Sequence, residues 1–272
     1  MEKLGVFLDK LMSATAWPME RPPAYGLFHL SFTLVGFALC YLLARKLRNA
    51  TDRQNRWILL SVGIFLLAAE VYKQLFHYYY ICDHSYAWWI FPFQLCSVPM
   101  YLCVIAPLLK KGRLQKALYS FMMCYNLLGG FMAFIEPSGI LQDYWVVTLH
   151  SCLWHMILVF VGLYIGFSGR GGYEIRDYKN ATKVFLVLCV VAFSINLAFW
   201  EVSGHGINMF FLGPQESSLA VFKQIATQWG WYVSTALYIP TVCLGSWLIF
   251  LPFRLLQKRA ALRVAPVTAP GV

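Results

Sequence analysis

Charged side chains are scarce in this chain of 272 residues: Asp, Glu, Lys and Arg together make up 12% of it, and only 12 residues are acidic. Hydrophobic residues make up 60%. An average soluble domain has a charged fraction of about 25%. The composition therefore excludes an ordinary soluble protein and indicates an integral membrane protein.

Several sequence patterns are also missing. The eight cysteines form no CxxC pair, no HExxH motif occurs, and no cleavable signal peptide is recognisable. These absences argue against a disulfide framework, a zinc finger, a zincin-type protease and a secretory leader. Residues 1–23 instead carry apolar residues at helical spacing, and we expect an N-terminal helix that lies in the membrane interface or caps the bundle.

Apolar stretches dominate the remaining sequence. Seven of them are each about 20 residues long, enough to cross the hydrocarbon as a helix. The connecting segments are short, so we predict an all-α, multi-pass bundle of seven transmembrane helices that forms one domain over 24–254, followed by a basic, disordered tail at 255–272. The stretches cover residues 24–44, 57–80, 87–109, 117–136, 144–167, 183–203 and 230–253.

The positions of the basic residues predict the orientation in the membrane. Of the 22 Lys and Arg residues, 17 follow odd-numbered stretches, whereas the even-numbered loops carry only Lys223. The positive-inside tendency then places the N-terminus outside and the C-terminus inside. The net charge of +10 is explained by topology rather than by nucleic acid, and membrane lipids are the expected partners. The expected location is a bacterial cytoplasmic membrane or a eukaryotic endomembrane.

Polar residues within the apolar stretches are costly in hydrocarbon and indicate an internal partner or a functional role. With the predicted orientation, most of them fall in the outer halves of their stretches. We therefore expect a water-accessible cavity on the extracytoplasmic side, with Glu70 and Lys73 paired at the i,i+3 spacing. The polar residues concerned are His29, Glu70, Lys73, His77, Asn126, His150, Asn196 and Glu201.

A thiol and an imidazole lie at similar predicted depths. Helical rise places Cys96 about 12 Å and His155 about 15 Å below the outer ends of the third and fifth stretches. Pro92 removes a helix hydrogen bond near Cys96, and Gln94 adds a polar neighbour. Because an imidazole base can activate a thiol nucleophile, Cys96 and His155 are a candidate catalytic pair. His150 lies about 140° around the helix from His155, so we expect it to face another direction.

A series of short motifs follows the predicted spans in order. They are His29, Glu70, Phe91–Ser97, Glu136–Pro137, His155, Asn208–Phe210, Gly230–Tyr232 and Leu251–Phe253. This order resembles the YwaF-type integral membrane proteins and their eukaryotic relative, transmembrane protein 164, through nearly the whole chain. The family's usual Pro-Leu-His-Leu-Cys is represented by Pro92-Phe-Gln-Leu-Cys96. Glutamine replaces a histidine there and cannot act as a base.

The resemblance implies an acyltransferase in which a cysteine–histidine pair moves a fatty acyl chain between phospholipids. Cys96 would be the nucleophile and His155 the base, with phospholipid and lysophospholipid as substrates and neither cofactor nor metal. The amides of Gln94 and Asn126 are candidate oxyanion donors, and the loop 204–229 is long enough for a lid. The remaining candidates for support or substrate binding are Glu70, His29, His150 and Asn208.

Two other functions stay open at this point. One is an intramembrane zinc-dependent lipid hydrolase, because the predicted outer half contains enough ligands for zinc. Its candidate ligands are His29, Glu70, His77, His150 and His155. The other is a small-molecule transporter or receptor-like protein, since prolines interrupt several stretches, although no inverted repeat is apparent.

Overall fold

The computed structural model describes residues 2–215 and 217–264. Within these ranges the protein contains ten α-helices and no strand. A π-helical turn, His77–Ile81, extends α3, and another, Met122–Asn126, joins α5 to α6. The helices are α1 (Glu2–Thr15), α2 (Leu27–Leu47), α3 (Asp52–Phe76), α4 (Val98–Ile105), α5 (Arg113–Phe121), α6 (Leu127–Ile135), α7 (Trp145–Phe167), α8 (Ile175–Ala198), α9 (Ala220–Trp229) and α10 (Trp231–Val264).

Six helical segments of the described chain are long and apolar enough to cross a membrane. The prediction of an all-α, multi-pass membrane protein is therefore confirmed. The count of seven transmembrane helices and the orientation remain predictions. The six segments are Leu27–Leu47, Asp52–Ile81, Arg113–Ile135, Trp145–Phe167, Ile175–Ala198 and Trp231–Arg259.

The third predicted stretch, 87–109, is not one continuous helix. Its apolar helical part is the short segment Val98–Leu108, and residues 91–97 in front of it are not helical. Pro92 lies in this break, and Pro99 lies in the first turn of α4, where its missing N–H costs no hydrogen bond. Cys96 consequently precedes a helix instead of lying inside one, and its depth estimated from helical rise does not apply.

The connections between helices gather at two ends of the bundle. At one end, the Arg170 guanidinium donates to the Asp52 carboxylate at 2.7 Å, and Lys111 pairs with the same carboxylate. At the other end, His84 Nε2 lies 3.5 Å from Asp9 of α1. The broken segment 88–108 therefore runs from the α1 end to the end that carries the basic connections.

Helix α7 is central to the packing. Its side chains Leu158, Val159 and Ile165 are fully buried among the neighbouring helices. The buried amide of Asn55 on α3 donates to the Tyr119 hydroxyl at 3.1 Å and accepts from the Tyr164 hydroxyl at 3.0 Å. These bonds satisfy polar groups where water is excluded, and they join α3, α5 and α7.

The two ends of the chain differ in part from the predictions. Helix α1 packs on the bundle through Met12, which contacts the cluster around Phe76, while Phe7 is exposed. Helix α10 continues to Val264, so residues 255–264 of the predicted disordered tail are helical, and residues 265–272 lie outside the described chain. Residues 220–229 of the predicted lid loop form helix α9.

A glycine on α3 allows close contact with α4. A Cβ atom at Gly63 would lie 2.7 Å from Val104 Cγ2 and 3.0 Å from the Val104 nitrogen, whereas a Cβ at Gly129 meets nothing within 4 Å. We expect Gly63→Ala to destabilise the protein by about 1–3 kcal/mol through overpacking. Gly129→Ala should be neutral or stabilising because alanine favours helix. Thermal unfolding in detergent measures both, and equal melting temperatures would contradict the close contact.

The predicted orientation can be tested at two exposed positions. Asp83 lies in the connection near α1, and Lys179 lies in α8 near the basic end. In a Cys82→Ala/Cys96→Ala background, an impermeant thiol reagent should label Asp83→Cys in intact cells and label Lys179→Cys only after permeabilisation. The reverse pattern would invert the orientation.

Candidate functional site

A cavity of about 510 Å³ lies at the α1 end of the bundle. We call it the thiol cavity. Its walls come from the end of α3, residues 89–97, residues 133–142, the first half of α7, and four residues that follow α8, namely Asn208, Phe211, Gln215 and Ser218. Its polar lining comprises Lys73, His77, Gln94, Cys96, Ser97, Glu136, Gln142, His150, Ser151, His155, Asn208, Gln215 and Ser218.

Cys96 and His155 both line this cavity. The indole Nε1 of Trp154 donates a 2.9 Å hydrogen bond to the carbonyl oxygen of Cys96. Because Trp154 is the neighbour of His155 on α7, this bond holds the backbone of Cys96 against the helix that carries the imidazole. The structure thus brings the predicted thiol and imidazole to one cavity.

The His155 ring has a defined hydrogen-bond partner. Its Nδ1 lies 2.7 Å from the carbonyl oxygen of Ser151, one turn earlier on α7. A carbonyl oxygen can only accept, so Nδ1 carries the proton in this contact. Nε2 of the neutral ring then carries the lone pair, which is the tautomer that a general base needs.

Cys96 differs from the other cysteines in its surroundings. All eight are free thiols, and five of them are buried. Cys82 and Cys243 are partly exposed, as Cys96 is, but neither lines the thiol cavity. The five buried cysteines have the surroundings of small apolar residues, and they are Cys40, Cys103, Cys124, Cys152 and Cys189.

The predicted ion pair between Glu70 and Lys73 is present. Lys73 Nζ lies 2.9 Å from Glu70 Oε1, which also accepts a 2.7 Å bond from Gln74 Nε2. Lys73 lines the cavity, whereas the buried Glu70 carboxylate lies behind it. Glu70 therefore neutralises and holds Lys73 and does not itself line the cavity.

Gln94 has a role that the sequence did not reveal. Its Nε2 donates to the Asn208 carbonyl at 3.0 Å, and its Oε1 accepts from the Phe210 N–H at 3.0 Å. Asn196 on α8 forms a similar pair of bonds with the backbone of Met209, at 2.6 and 3.0 Å. The Gln94 amide thus ties the segment 208–210 to the break beside Cys96, which differs from the predicted oxyanion role. Only the tertiary structure shows this contact, because the partners are far apart in sequence.

His150 also lines the thiol cavity, although it lies about 140° around α7 from His155. The cavity extends along α7 from His155 to Val147 and therefore covers more than one face of the helix. The His150 ring stacks on Trp154 at 5.4 Å, and its nitrogens have no hydrogen-bond partner within the described chain.

Besides Glu70, two predicted site residues do not line the cavity. His29 on α2 accepts a 3.1 Å bond from the Tyr25 N–H, and its ring stacks on Phe134. Asn126 is buried in the π-helical turn after α5, so its amide is not placed as the predicted oxyanion donor.

The predicted zinc ligands are not gathered at one point. Among residues 2–215 and 217–264, no group of three or more His, Cys, Asp or Glu side chains is arranged to hold a metal ion. His29 in particular lies against Phe134, while His150 and His155 line the thiol cavity. This arrangement gives no support to the zinc hydrolase.

The Gln94 tie can be tested by replacement. Gln94→Ala removes two hydrogen bonds worth about 1 kcal/mol each, so the segment 208–210 should open more often. Cys96 should then react more than about tenfold faster with a water-soluble thiol reagent, because about 2 kcal/mol shifts an equilibrium by at least that factor.

The matched control is Gln142→Ala. The Gln142 amide lines the same cavity, but its Nε2 donates to Gly139. The control should leave the labelling rate of Cys96 unchanged. Equal rates in both variants would show that Gln94 does not hold the segment in place.

Comparison with known proteins identifies one family. The family model described as the TMEM164 family matches residues 24–251. No curated protein and no solved structure matches the chain. The matched region covers all six of the long apolar helical segments, apart from the C-terminal end of α10. The chain belongs to the TMEM164 family.

Proposed function

We propose that this protein is a cysteine-dependent acyltransferase that moves a fatty acyl chain between phospholipids through a thioester on Cys96. One observation carries the proposal. The Cys96 thiol and the His155 imidazole line one cavity, and the contact with Ser151 leaves Nε2 of His155 as the basic nitrogen. A nucleophile, a base and a group that orients the base are the parts that covalent acyl transfer requires.

The first half-reaction forms the thioester. His155 Nε2 takes the proton from the Cys96 thiol, and the sulfur attacks the carbonyl carbon of a phospholipid ester. The tetrahedral intermediate collapses with cleavage of the ester C–O bond. The leaving alkoxide takes the proton from the imidazolium, and lysophospholipid is released.

The second half-reaction transfers the acyl chain. The hydroxyl of an acceptor lysophospholipid gives its proton to His155 Nε2, and its oxygen attacks the thioester carbonyl. Cleavage of the C–S bond releases the new phospholipid. The sulfur then regains a proton from the imidazolium, so thiol and neutral histidine are restored.

The local backbone favours this chemistry. Cys96 directly precedes Ser97, the N-cap residue of α4, and the partial positive charge at a helix N-terminus favours negative charge on a nearby sulfur. Removal from water opposes the thiolate, so the base has to be available in the same cavity. Since Gln94 is engaged with 208–210, we assign the buried Ser97 hydroxyl, which lines the cavity, as an oxyanion donor.

The lining of the thiol cavity suits a lipid substrate. Trp89, Ile90 and Val147 supply apolar walls for an acyl chain. Lys73, which Glu70 holds in place, supplies N–H groups that can donate to a headgroup oxygen. A cavity of about 510 Å³ admits the ester region of a lipid while the rest of the chains stay in the bilayer.

The direct test is to trap the acyl-enzyme. Purified protein is incubated with phospholipid labelled in its acyl chain, and protein-bound label is measured before and after neutral hydroxylamine, which cleaves thioesters. We expect the wild type to carry labile label and Cys96→Ala to carry none. Cys82→Ala is the matched control, because Cys82 is a partly exposed thiol outside the cavity. Equal labelling of the Cys96→Ala protein would contradict the proposal.

The base is tested by the reactivity of the thiol. His155→Ala should lower acyl transfer by about 10²- to 10⁴-fold and slow the alkylation of Cys96 at neutral pH. His150→Ala removes another imidazole from the same cavity and should have the smaller effect on alkylation. Unchanged alkylation and transfer in His155→Ala would assign the base to another residue.

A further inference from the structure

A second cavity, of about 580 Å³, lies at the other end of the bundle. We call it the basic cavity. It contains Asn55 of α3, whereas the thiol cavity contains Lys73 of the same helix, about 27 Å away along the helix axis. The two cavities are therefore separate sites.

Positive charge dominates the lining of the basic cavity. One carboxylate, Asp52, faces six cationic side chains within the described residues. The cations are Arg56, Lys110, Lys111, Arg113, Lys116 and Arg170. Arg56, Lys110, Lys111 and Arg113 are exposed, so this excess presents a positive potential to an anion that reaches the cavity from outside.

Only part of this charge is neutralised inside the protein. Lys111 and Arg170 share Asp52, and Lys116 Nζ lies 2.9 Å from Asp177. Within the described chain, the remaining cations, Arg56, Lys110 and Arg113, form no ion pair.

Two further groups in this cavity lack partners. Arg170 donates to Asp52 and to the Ala50 carbonyl, but its buried Nε has no acceptor among the residues that the structure describes. Helix α5 begins at Arg113, and its N-cap residue, Gly112, provides no side chain to cap the free N–H groups. Donors and positive potential thus converge where an anion with several oxygens would fit.

The surroundings favour a lipid as the source of that anion. The cavity lies where α3 and α5 begin, and Pro107 and Leu109, at the end of the apolar segment that follows the break, form part of its wall. Trp57, Leu108 and Leu114, next in sequence to lining residues, expose large apolar side chains. A headgroup in the cavity would leave its acyl chains against such surfaces, at the boundary where anionic lipids meet basic residues.

We propose that the basic cavity binds the phosphate of an anionic phospholipid headgroup. The phosphate accepts charge-assisted hydrogen bonds from Lys110 and Arg113. The site is independent of the thiol cavity and of the proposed acyl transfer. With the predicted orientation it takes its lipid from the inner leaflet.

The test measures lipid retention by the full-length protein. Protein is reconstituted in nanodiscs of phosphatidylcholine with and without phosphatidylglycerol, and the bound phosphatidylglycerol is counted by native mass spectrometry after mild detergent transfer. We expect the double variant Lys110→Gln/Arg113→Gln to bind phosphatidylglycerol at least about tenfold more weakly than the wild type. The matched control is Lys179→Gln/Lys183→Gln, which removes two exposed charges from α8, outside the cavity. It should bind within about twofold of the wild type.

Two outcomes would overturn the proposal. Equal weakening in both double variants would mean that diffuse surface charge, and not the cavity, attracts the lipid. Displacement of phosphatidylglycerol by millimolar inorganic phosphate, with matching thermal stabilisation in phosphatidylcholine alone, would assign the cavity to a soluble phosphate compound. Retention that is lost only in the cavity variant and is resistant to inorganic phosphate supports the lipid site.

Discussion

Irregular backbone inside a predicted membrane span is tolerated only where other parts of the protein satisfy its polar groups. The break at 91–97 meets this requirement with side chains from three directions. Carbonyl oxygens in the break or next to it each accept a hydrogen bond of 2.8 or 2.9 Å from a side chain. The pairs are Gln74 with Ile90, Tyr101 with Pro92, and Trp154 with Cys96.

These hydrogen bonds hold α3 and α7 against the break and so fix the walls of the thiol cavity around Cys96. A continuous helix over 87–109 would bond each carbonyl to its own backbone. The break instead leaves carbonyls that draw α3 and α7 toward Cys96, and it ends the segment with a new helix N-terminus beside the sulfur. Pro92 starts this arrangement, because it cannot donate a backbone hydrogen bond. The structure therefore links one proline to the cavity that Cys96 and His155 both line.

The sequence predicted the features that depend on local composition. Long apolar stretches identified the membrane helices, and Pro92 near Cys96 indicated an irregular backbone. Pro99 was a further signal, since proline is favoured in the first turn of a helix, and it could have located the start of α4. Local sequence composition could not predict the hydrogen bonds of Gln94 or the position of His150 in the cavity lining. The first depends on contacts more than 100 residues away in sequence, and the second on how far the cavity extends around α7.

The glutamine at position 94 bears on the choice of base. The resemblance to the family placed a histidine at this position, two residues before the thiol. In this protein the Gln94 amide uses one donor and one acceptor to hold Asn208 and Phe210. A neutral histidine also offers one donor and one acceptor, so either residue could tie the same segment. We infer that this position shapes the cavity. The presence of glutamine instead of histidine at position 94 therefore does not affect the assignment of His155 as the proposed base.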